Sequence, residues 1–235
     1  MASDKLSEKD IAIDGLNKLR VGALIQLIAG FIGLSLAIFV SIIVSRVLGF
    51  TPGFGIPWLL GRGVLRTVLS LVQHITRFMV IALGILIATA VLSFIAIFGY
   101  FIPGASRLAS WKPRFSSSVT LMEIGYLGGL PLLVIASVIL VIGVLAVSRG
   151  LVVGSLIIYL LGVVLMVLGF LGLLFLLINL YSEFGYTLLL VSCILLIARL
   201  ILLLFSRTLL IGSLLNVVAW VLIYVGLEES TKKQE

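Results

Sequence analysis

Apolar residues follow one another along this chain in long unbroken runs instead of alternating with polar ones. Six runs stand out, over 21–44, 78–102, 124–147, 151–180, 186–205 and 209–227, rich in Leu, Ile, Val and Gly. Each is about twenty residues or longer, the length a helix needs to cross roughly 30 Å of hydrocarbon. Strands of a membrane barrel would alternate apolar and polar side chains over about ten positions. With no water in the bilayer to satisfy the backbone, continuous runs of this length read as helices. The pattern predicts an all-α fold, a polytopic transmembrane bundle of about six spans.

The polar stretches between the runs carry their own signals. Residues 1–20 form a polar arm in which Leu6, Ile13, Leu16 and Leu19 recur at near-helical spacing, with Asp10, Asp14 and Lys18 between them. A short amphipathic helix leading straight into the first span fits this best. The piece 46–63 holds two prolines and five glycines; it cannot be a regular span and reads as a loop, open to a re-entrant course. Over 62–77, Arg66, Ser70, Gln73 and Arg77 take one face and Leu65, Val68, Leu69, Val72 and Ile75 the other. A basic amphipathic helix of this kind lies in the headgroup plane, where Arg62, Arg66 and Arg77 become candidate lipid contacts. His74 falls on its polar side with no second ligand-type residue nearby. Pro103-Gly104 is expected to end the second span. Arg107, Trp111, Lys112 and Arg114 then mark a membrane–water boundary, with Glu123 placed to pair with one of these bases. Ser148, Arg149 and Gly150 are expected to turn a tight hairpin between spans three and four. Span four exceeds what a bilayer needs, so it tilts or emerges, carrying Asn179, Tyr181 and Glu183 to the interface. The tail 228–235, EESTKKQE, is charged.

Small residues form two stripes. Ala29, Gly33, Ala37 and Ser41 recur every fourth position, and Ser155, Gly162 and Gly169 every seventh. Both spacings keep small side chains on one helix face, where backbones approach closely.

Composition narrows the chemistry. The chain is 62% hydrophobic and 11% charged, with a mean hydropathy of +1.38, far from the roughly one-quarter charged residues of a soluble domain. The net charge of +7 comes from bases at the ends of apolar runs, not from a basic soluble surface, so nucleic acid is not an expected partner. Counted by side, nine Lys/Arg (5, 9, 18, 20, 107, 112, 114, 232, 233) face six (46, 62, 66, 77, 149, 207), which favours cytoplasmic termini; the arginines of the amphipathic helix weigh the other way. The single cysteine, Cys193, rules out an internal disulfide. Asp is absent after Asp14, and between arm and tail only Glu123 and Glu183 carry a carboxylate. No metal-ligand set, nucleophile–base pair or phosphate-binding loop is present, so no catalytic residue, metal site or cofactor is expected.

One side chain is costly where it stands. Arg199 lies inside the fifth run, about six residues from its end. A charge within a span is a candidate contact for an anionic substrate or lipid headgroup. Snorkelling to the nearby interface is the ordinary alternative. Asn216 should lie at similar depth in the next span, so an Arg199–Asn216 hydrogen bond is expected.

Three stretches carry a resemblance: GLNKLRVGALIQLIAG at 15–30, PGASRLASWKPRFSSSVTLMEIGYLGGL at 103–130 and SLLNVVAWVLIYVGLEES at 213–230. In these the chain resembles an uncharacterised family of multi-pass membrane proteins found in thermoacidophilic archaea, a domain of unknown function. The central stretch is the most specific, and 45–64 does not follow the pattern. The resemblance implies the fold and an archaeal origin; it carries no activity and no functional residue.

The sequence alone therefore points to a non-enzymatic integral membrane protein, a structural or accessory element that associates with itself or with other membrane subunits, among lipids. A transporter or channel for a small anionic or apolar solute is the first alternative, and a lipid-binding protein the second.

Overall fold

A computed structural model describes residues 8–49, 80–202 and 209–234. Six helices carry these residues, and no strand occurs among them. They are α1 (Glu8–Gly49), α2 (Val80–Trp111), α3 (Pro113–Leu145), α4 (Arg149–Phe184), α5 (Thr187–Leu202) and α6 (Leu209–Lys232). Five are long and apolar enough to cross a membrane, and α5 is a shorter apolar helix. Each helix packs on the next in chain order, and α6 closes the ring by packing along α1.

Several boundaries differ from the sequence reading, for physical reasons. The arm and the first span are one helix of 42 residues. Ala12, Leu16 and Leu19 of the arm are fully buried in the bundle instead of lying at an interface. The helix runs on through 46–49, residues assigned above to a loop; the rest of that loop and the 62–77 helix, with Arg62, Arg66, His74 and Arg77, lie outside the described residues. The charged tail is helical through Lys232, with Ser230 and Thr231 buried and bonded back to the Gly226 and Leu227 carbonyls. The turn between α3 and α4 falls at 146–148, ahead of the expected 148–150, and Val147 takes a left-handed φ of 51° there.

Pro103 does not end the second span. A π-helical segment, Ile95–Phe101, precedes it, and the helix resumes over Ile102–Trp111. Pro131 sits within α3 in the same way, after a second π segment, Glu123–Leu127. A proline has no N–H for the i−4 carbonyl and its ring crowds that oxygen. A preceding wide turn shifts the carbonyls aside and lets the helix continue.

The bundle is divided along its length. At one end gather the start of α1, the α2–α3 and α4–α5 turns and the end of α6. Glu183 pairs there with Lys112 and with Arg114 (3.0 Å), and Asp14 with Lys18 (2.8 Å) and Arg107 (3.3 Å). Arg114 also donates to the Asn179 carbonyl at 3.0 Å, while Asn179 donates to the Arg114 carbonyl at 3.2 Å and to Ser118 Oγ at 3.1 Å. Trp111 stacks between Phe115 and Phe184. Glu123 has no ion-pair partner among the described residues, contrary to expectation, and receives only a long bond from Ser106 Oγ (3.5 Å). Its place is taken by Glu183, which the length of α4 carries into reach of the bases. Below this polar cap the ring is filled by fully buried side chains from all six helices, among them Leu16, Leu108, Phe115, Leu177, Leu189 and Ile223.

Helices in lipid gain little by hiding apolar side chains from hydrocarbon, so close packing must hold them. The α3–α4 contact supplies it. A Cβ on Gly125 would overlap the Gly169 backbone, and one on Gly172 would stand 2.7 Å from the Met122 nitrogen. Gly162 packs on Leu133 and Gly169 on the Tyr126 ring; Ser155, 1% exposed, continues this face. By contrast a Cβ on Gly154 meets nothing within 4 Å. Gly125→Ala should destabilise the protein by about 3 kcal/mol through overpacking, whereas Gly154→Ala should be neutral or stabilise by up to about 1 kcal/mol. Unfolding midpoints in detergent check this; equal midpoints would refute the contact. Glu183→Gln should cost about 1–2 kcal/mol, a modest figure because both bases are partly solvated, and the loss should shrink in high salt.

Candidate functional site

The filled half of the ring ends in a floor made by Phe101, Met122, Leu173, Leu196 and Trp220. Above it lies a cavity of about 490 Å³, to which all six helices contribute. Counted by helical rise of 1.5 Å per residue, Arg199 lies roughly 18 Å from the start of α5 at the cap. Gln26 lies roughly as far from Asp14 along α1. The cavity therefore lies well away from the polar cap, toward the opposite end of the bundle.

Its polar groups come from five helices: Gln26 on α1, Thr89 and Ser93 on α2, Tyr126 on α3, Arg199 on α5, and Ser213 and Asn216 on α6. Most are already engaged. Ser93 Oγ donates to Gln26 Oε1 at 3.3 Å, Thr89 Oγ1 donates to the Ile85 carbonyl at 2.9 Å, and Trp220 Nε1 donates to Asn216 Oδ1 at 3.1 Å. The expected Arg199–Asn216 hydrogen bond is not formed; Asn216 spends its oxygen on Trp220, one turn away, and its Nδ2 lies against Gly30. Arg199 makes no hydrogen bond or ion pair among the described residues, although it lines the cavity. No carboxylate lines the cavity with it.

The two π segments shape this site. Ile97 and Phe101 come from the first, and Tyr126 comes from the second with Met122 just before it; all four line the cavity. π turns inside α-helices recur at functional sites. Ala29 and Gly33 of the first small-residue stripe also line it. A Cβ on Gly33 would meet nothing within 4 Å, so that glycine leaves space instead of admitting a neighbouring helix. Ala37 is buried, and Ser41 is exposed with its hydroxyl on the Ala37 carbonyl.

Sequence reasoning found Arg199 and Asn216 but missed Gln26, Thr89, Ser93, Tyr126 and Ser213. Gln26 had a legible signal, an amide within the first apolar run. Thr89 and Ser93 had a weaker one, hydroxyls four residues apart on one helix face.

The architecture is that of a polytopic helical membrane bundle with an internal cavity bearing one cation that has no counter-charge among the described residues. The family model described as "Protein of unknown function (DUF973)" matches residues 12–235, and the chain belongs to that family. No curated protein and no solved structure matches the chain.

A desolvated guanidinium with no counter-charge among the described residues is a burden on the folded state. Arg199→Leu should therefore raise the unfolding midpoint of the ligand-free protein, by about 1–3 kcal/mol. A lowered midpoint would show that Arg199 holds the helices together, and would remove it from the list of binding residues.

Proposed function

We propose that this protein binds a small organic anion inside the membrane and carries it across or along the bilayer, with Arg199 as the anion contact. One observation supports this above the others: among the described residues Arg199 is the lone charge on a cavity that every helix helps to line, and its donors have no partner there. A guanidinium offers a planar fork of donors matched to carboxylate or phosphate. Asn216 Nδ2 and the Ser213 hydroxyl on α6 share the cavity wall. The absence of reactive pairs from the sequence favours binding and movement over catalysis. The nine-to-six distribution of bases supports cytoplasmic termini, with the polar cap on that side.

A structural or accessory role drew on the small-residue stripes as docking surfaces. Inside the bundle both stripes are largely occupied: Gly162 and Gly169 by α3, Ala29 and Gly33 by the cavity. That ground for self-association is weaker than the sequence implied, and the anion reading takes precedence.

Ligand that binds only the folded state raises its stability in proportion to the logarithm of concentration over Kd. A panel of short carboxylates, alkyl carboxylates and phosphates should contain at least one anion that raises the unfolding midpoint of the wild type and not of Arg199→Leu. The same anion should then cross proteoliposome membranes faster with the wild type than with the variant. If every anion in the panel treats the two proteins alike, the reading fails.

A further inference from the structure

The ligand's class and its route can be read from how the cavity is walled, taking Arg199 as the anion contact proposed above. We propose that the cavity takes a single-chain anionic amphiphile, which reaches it sideways from the lipid through the wall between α4 and α5.

The route from the polar cap is shut. The floor residues are packed and the fill beneath them is continuous to the ion pairs, with Leu177, Leu189 and Ile223 each at most 1% exposed. A water-borne solute from that side would have to part this layer. The wall toward lipid is thinner. Val163 and Val167 on α4 and Leu200 on α5 line the cavity, yet they are 38%, 42% and 44% exposed on the outer surface. Each of these side chains thus touches the cavity and the bilayer at once.

The lining is also polarised across the cavity. Arg199, Ser213 and Asn216 stand on α5 and α6, and the neutral Gln26, Thr89, Ser93 and Tyr126 on α1, α2 and α3. The α4 wall carries only Val163, Val167 and their apolar neighbours Met166 and Phe170. A ligand that satisfies both walls has an oxyanion head at one end and hydrocarbon at the other. At about 490 Å³, the space lies within the roughly 300–1,000 Å³ that single small ligands occupy. One chain with a carboxylate or phosphate monoester head fits this description. The apolar tail explains why such a ligand would already be dissolved in the bilayer, beside the α4–α5 wall.

The test uses the full chain in nanodiscs of zwitterionic lipid, with empty nanodiscs as blank. Radiolabelled dodecanoate and dodecyl phosphate are the chain-bearing probes; butyrate and inorganic phosphate carry the same heads without a tail. At least one chain-bearing probe should bind saturably, ten-fold or more tighter than its tail-less counterpart. The comparison between dodecanoate and dodecyl phosphate identifies the head. Arg199→Leu should weaken that binding ten-fold or more, and Arg199→Lys should restore part of it. Val167→Trp, which widens a side chain in the thin wall, should slow association at least five-fold; Leu200→Phe does the same should the tryptophan variant fail to fold. If the tail-less probes bind as tightly and neither wall variant alters the association rate, the amphiphile and its lateral route are overturned while the anion site survives. Binding of no probe, or binding indifferent to Arg199, overturns both.

Discussion

Close backbone contact is the condition on which this bundle rests, because hydrocarbon takes away the usual reason for helices to associate. A leucine gains almost nothing by exchanging lipid for another helix, so contact density must replace solvent exclusion. At the α3–α4 crossing, Gly125, Gly169 and Gly172 let the two backbones touch with no side chain between them. Gly15 and Gly104 do the same for α1 and α2, where a Cβ on either would stand 3.0 Å from the other's carbonyl oxygen. These crossings draw the cap half of the ring tight enough for its leucines to fill the middle. The ion pairs at the cap sit above an interior already closed, and Glu183 is their best-shielded member.

The same rule explains where the packing stops. Past the floor residues the α3–α4 seam stays closed at Gly129, Gly143 and Gly162, but elsewhere the glycines lose their neighbours: Gly33 opens onto the cavity, and Gly84 and Gly154 meet nothing within 4 Å. The two π segments lie at this transition, one on α2 and one on α3. Each precedes a proline that a regular helix would not accommodate. Local widening of two adjacent helices separates the dense half from the hollow one, and the cavity forms at that level. Its polar lining is affordable there because most of its groups bond to one another or to their own helix.

The six apolar runs, the antiparallel order and the tight α3–α4 hairpin were legible in sequence because the bilayer imposes a length and a composition on every span. Boundaries were less so. Pro103 reads as a terminator from its own chemistry, and only the π turn before it, a tertiary accommodation, reverses that. Leu16 and Leu19 look like the apolar face of a surface helix until α2 and α6 are placed against α1. The polar tail reads as solvated, yet Ser230 and Thr231 hide their hydroxyls by bonding to carbonyls four residues back, a local option invisible to hydropathy. Arg199 was conspicuous as a charge among apolar residues. Whether it had a partner depended on Trp220 claiming the Asn216 oxygen, which spacing alone does not decide.

An unpaired Arg199 also constrains what kind of protein this can be. Snorkelling would let it escape cheaply, and a carboxylate on any of the five other helices would neutralise it. The described cavity lining holds no carboxylate: its other polar groups are neutral, and the guanidinium lines the interior space. In a purely structural bundle a leucine at this position would carry no such desolvation cost. Under the proposed anion role, the desolvated cation returns its cost as affinity when an oxyanion arrives. The free energy withheld from folding at Arg199 is then the free energy available for recognition, and the dense cap half supplies the stability that lets the hollow half remain unsatisfied.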